Sequence, residues 1–136
     1  MDKRKPNAYE AINSYVSANS AVSAVICSAD DESVETEFIQ KEARRAAEEL
    51  LSCVIYLNGL TPPSDSEQLY CLACALAKPL PVLRELDEVL DCEVRMERSK
   101  CVGIANSMKW LLNSLSSRFA DVFSNHFLMH RAITLN

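Results

Sequence analysis

Ile39, Ala43, Ala46, Leu50, Cys53 and Leu57 recur at steps of four, three, four, three and four. That spacing lays all six on one stripe of an α-helix, whereas the faces of a strand alternate at every second residue. The segment then runs into Asn58-Gly59-Leu60-Thr61-Pro62-Pro63. Gly59 suits the left-handed position just past a helix C-terminus, and the prolines cannot continue a helix. The pattern predicts a helix over 33–57 and draws the whole chain toward an all-α fold. From Leu50 to Leu57 the apolar residues widen beyond one stripe. Such a turn pair belongs either at the centre of a bundle or at an interface.

The rest of the chain reads the same way. Asn7 followed by Glu10 is a capping pair for a first helix, on which Ala8, Ile12, Tyr15, Asn19, Val22 and Ile26 again step four, three, four, three, four. Ser14, Ser17, Ser20 and Ser23 lower the propensity of this helix, so its stability must come from packing. Asn19 is expected at the edge of the stripe. Ser64 and Glu67 make a capping box for a short third helix over 65–77, and Pro81 opens a fourth over 81–98 with Leu83, Leu86, Val89, Leu90 and Val94 inward. A long last helix over 102–132 carries Ile104, Met108, Leu111, Leu115, Phe119, Val122, His126, Met129 and Ile133 on one stripe, with Trp110 off it against a neighbouring helix. On the outer face of the second helix, Glu37 and Lys41 are spaced to pair. Five helices with short links predict a single-domain antiparallel bundle over 7–133, preceded by a disordered basic tail over 1–6 that holds Lys3, Arg4 and Lys5.

Composition narrows the function classes. The 136 residues include only two glycines, Gly59 and Gly103, too few for the hairpins of an all-β fold and nearly prohibitive for a phosphate-cradling loop. The net charge of -5 disfavours nucleic acid, whose non-specific binding rests on Lys and Arg. No run approaches the 18 apolar residues of a spanning helix, and Glu10, Asn13 and Asn19 interrupt any signal-like apolar stretch, so no membrane is expected and the location is read as cytoplasmic. Six cysteines, at 27, 53, 71, 74, 92 and 101, fall mostly on apolar helix faces or their ends and are expected reduced and buried.

Three constellations would carry chemistry. Cys71 and Cys74, with His126 and His130, place metal-ligand types on two helix faces and would make a four-ligand zinc site. The apolar neighbours of the cysteine pair oppose thiolate formation, so the simpler expectation is two small buried thiols and no metal. Arg118 and His126 fall short of the Arg-x(4-6)-His motif of the helical HEPN ribonucleases, because seven residues intervene. Glu32-x-x-Glu35 and Glu88-x-x-Asp91 each set two acids about one helical turn apart, and four such groups would hold Mg²⁺ against a triphosphate. The pairing resembles that of the all-α nucleotide pyrophosphohydrolases of the MazG type, and the resemblance implies a Mg²⁺-dependent hydrolase. The chain departs from that family in two ways. Fifty-two residues separate Glu35 from Glu88, beyond the family's usual gap, and Asp31 stands where the first motif usually carries another Glu.

The expectation is a non-enzymatic protein-interaction or regulatory module without cofactor. It binds another protein and self-associates as a homodimer through the last helix and part of the second. Leu51, Val54, Ile55, Phe119, Phe123, His126 and Phe127 are the expected partner-binding residues. The alternatives are the Mg²⁺-dependent enzyme and a bundle that holds a small apolar ligand beside Trp110, Phe119 and Phe123.

Overall fold

A computed structural model describes residues 7–60, 65–77, 82–91 and 95–135. Within these, the side chains at 66, 69, 70, 73, 74, 77, 83, 86, 87, 91 and 125–135 lie outside the description, as does the tail over 1–6. The described residues are predominantly helical and contain no strand. In chain order the helices are α1 (Ala8–Cys27), α2 (Thr36–Leu57), α3 (Ser66–Ala77), α4 (Leu83–Asp91) and α5 (Arg98–Leu135).

The helix ends follow from local chemistry. Asn7 accepts from the Glu10 backbone N–H at 2.8 Å, and the Glu10 carboxylate takes the Asn7 N–H in return, which closes the predicted capping box. Gly59 stops α2 with φ 64. There the Leu60 N–H reaches Ile55 O at 3.0 Å and the Gly59 N–H reaches Tyr56 O at 3.2 Å, the paired bonds of a Schellman motif. α2 begins at Thr36 rather than at 33, because the Asp31 carboxylate captures the Ser33 N–H and hydroxyl and holds a non-helical turn. α3 is capped by Asp65, whose Oδ1 accepts from the Gln68 N–H at 2.8 Å; the expected cap, Ser64, is outside the described residues. α4 is shorter than the 81–98 expected, and α5 starts at Arg98, four residues before the predicted 102. Just ahead of α5, Arg95 pairs with Glu37 at 2.7 Å and the Met96 N–H goes to Gln40 Oε1 at 2.9 Å. Those contacts to α2 hold 95–97 off the helical path, and Glu37 serves Arg95 rather than the expected Lys41.

The directions of the central helices can be read from contacts at both ends. Arg98 reaches the α1–α2 link, and Arg118 donates to Leu57 O at the C-terminus of α2, at 3.1 Å. Twenty residues of helix span about 30 Å, close to the length of α2, so α5 lies alongside α2 and runs the same way. α1 runs against both: Tyr15 donates to Leu112 O at 3.2 Å and stacks on Phe119 at a centroid distance of 4.6 Å. Because α2 and α5 are parallel, the chain between them has to return along the bundle. α4 packs on α2 and on α3, and its Val89 and Leu90 join the core cluster that α2 and α5 share.

The core gathers around α2. All but Leu57 of its predicted stripe is buried, and Ala47, Leu51, Val54 and Ile55 are buried beside it. The widened half of α2 therefore takes the first of its two possible roles, because it is buried in a cluster shared with α1, α4 and α5. α1 departs from expectation. Its buried residues are Ala11, Ala18, Ala21, Val22 and Val25, so the inward stripe is rotated away from Ile12, Asn19 and Ile26. Small side chains let α1 approach the equally small Ala43, Ala46 and Ala47 of α2. Asn19 stays on its own helix, donating to Tyr15 O at 2.9 Å.

Candidate functional site

Behind their buried alanines, α1 and α2 turn unlike faces outward. α2 carries seven charged residues: Glu37, Lys41, Glu42, Arg44, Arg45, Glu48 and Glu49. They form local pairs, Arg45 with Glu42 at 2.8 Å and Arg44 with Glu48 at 3.6 Å. α1 has one charged residue in twenty, Glu10, and its carboxylate accepts the Asn7 N–H in the capping box. The outer stripe of α1, from Tyr9 through Asn13, Val16, Ser20 and Ser23 to Cys27, is exposed and uncharged.

The outward face of α5 is similar. Between Cys101 and Ser117 its single charge is Lys109. Ser107, Ser114 and Ser116 donate their hydroxyls to carbonyls of their own helix, Gly103, Trp110 and Asn113, so their donors are spent inward. Trp110 stands out from this face with 63% of its surface exposed. Val16 at 60%, Tyr9 at 59% and Phe123 at 55% are the other most exposed large apolar or aromatic side chains of α1 and α5. Exposed helix faces in water usually carry charge, so two faces with so little of it mark a candidate recognition surface.

The described members of the predicted partner-binding set do not share one exposed face. Leu51, Val54 and Ile55 are buried inside the single chain, which corrects their reading as surface residues for a partner. Phe119 is 3% exposed, held against Ala11, Cys53 and Tyr15. Of the set, Phe123 faces outward, and the side chains of His126 and Phe127 are outside the description. The exposed Val16 and Tyr9 were not singled out in the sequence. The available signal was the lack of charge along α1, more than any apolar run.

The ligand pocket expected beside Trp110, Phe119 and Phe123 lacks its geometry. Nine residues of helix rotate Trp110 half a turn from Phe119, so one faces solvent while the other faces the core.

The acidic pairs do not form the expected arrangement either. Glu32 and Glu35 precede α2 instead of lying on a helix, and Glu88 pairs with Lys100 at 2.7 Å. The Asp91 side chain is outside the description. Among the described residues no group of three or more His, Cys, Asp and Glu is placed to hold a metal ion. For the zinc alternative, Cys71 is exposed, while Cys74, His126 and His130 have side chains outside the description.

Among the described residues the thiols divide into two kinds, correcting the expectation that they are buried. Cys53 and Cys101 are buried; Cys27 and Cys71 are exposed. Burial, with the nearby Glu49 charge, pushes the Cys53 thiol up to about 12, so it stays protonated and inert at neutral pH.

Arg98, which the sequence did not single out, organises one end of the molecule. Its guanidinium donates to Asp31 O at 2.9 Å, to Val34 O, and to Thr36 Oγ1 at 3.4 Å. Longer contacts, each 3.5 Å, reach Ser28 O and Ala29 O at the C-terminal end of α1, where a cation suits the helix dipole. The Ser33 hydroxyl and N–H, with the Arg98 charge adding, hold the Asp31 carboxyl below its ordinary value. These contacts fix how the α1–α2 hairpin sits on α5, and so the relation between the two uncharged faces. No known protein family, curated protein or solved structure matches this chain.

Proposed function

We propose that the chain is a non-enzymatic protein-binding module of the cytoplasm that recognises another protein through the uncharged outer faces of α1 and α5 and also self-associates. It is read as a single-domain, five-helix, largely antiparallel bundle over 7–133. The observation that carries the reading is the contrast between outer faces: charge is dense on α2 and nearly lacking on α1 and on the first half of α5. An exposed Trp110 among small uncharged residues is suited to anchor a partner, since tryptophan contributes large binding energies when desolvated at an interface centre.

The test uses the immobilised chain in extract of its native host. The wild type should retain a protein that Trp110→Asp and Val16→Asp lose and that Lys41→Ala keeps. Equal retention by all four would overturn the reading.

A further inference from the structure

We draw no further inference here: the strongest candidate, the exposed uncharged stripe of α1 from Tyr9 to Cys27, belongs to the surface already described, and nothing in the structure shows what covers it.

Discussion

α1 and α2 bury alanines in a shared core, Ala18 and Ala21 on one helix and Ala43, Ala46 and Ala47 on the other, and there the likeness ends. Behind its alanines α2 continues into Leu50, Leu51, Val54 and Ile55, each worth about 1.5 to 3 kcal/mol when buried, and meets water with paired charges. α1 adds only Val22 and Val25 to its alanines and meets water with Tyr9, Val16 and serines. The difference separates two jobs. The inner faces decide that the chain folds and how closely its helices approach. The outer faces decide what the folded chain avoids and what it can touch, and on α1 and on 101–117 of α5 charge is reduced to Glu10 and Lys109.

The largest effect that would sharpen this comparison is Leu50→Asp. An unpaired charge at a fully buried site of α2 costs several kcal/mol, and the helical circular dichroism signal should collapse. The same aspartate at Val16 should cost no more than about 0.5 kcal/mol and leave the signal unchanged. Equal damage at both positions would break the comparison.

Next comes Arg98→Ala. It leaves the Asp31 and Val34 carbonyls without their guanidinium donor and loosens the link between the two helices. Urea unfolding should show a loss of about 2 to 3 kcal/mol.

Gly59→Ala should cost about 1 kcal/mol by thermal melting, because φ is 64 there and an added Cβ meets nothing within 4 Å, which makes the penalty one of backbone conformation alone.

The smallest effect is Asp31→Asn. A carboxylate held below its ordinary 3.8 stabilises the fold at neutral pH and loses that contribution as pH falls through its lower folded value. The gap between wild type and variant in melting temperature should therefore be small at pH 7 and close below pH 3.8.

How far these features could be read in advance depended on their range. The α2 stripe, its stop at Gly59 and the Asn7–Glu10 cap were legible because each is written within a few neighbouring residues. The rotation of α1 was not. A search for periodic large side chains favours Ile12, Tyr15 and Ile26, whereas close helix approach rewards alanine, whose apolar signal is weak. Arg98 was illegible because its partners lie 62 to 70 residues away in sequence. The acids Glu32 and Glu35 read as a helical pair until Asp31 is seen to divert the backbone through Ser33. The candidate surface was legible only in negative form, as charge that α1 does not have.

The central claim is that the uncharged outer face of α1 is where this protein meets protein, its own copy included. Sedimentation equilibrium of the wild type and Val16→Asp at about 100 µM tests it most directly. The wild-type mass should rise from 15.2 kDa toward twice that value with concentration, and the Val16→Asp chain should stay at 15.2 kDa with unchanged helix content. A wild type fixed at 15.2 kDa, or a variant that associates as the wild type does, would contradict it.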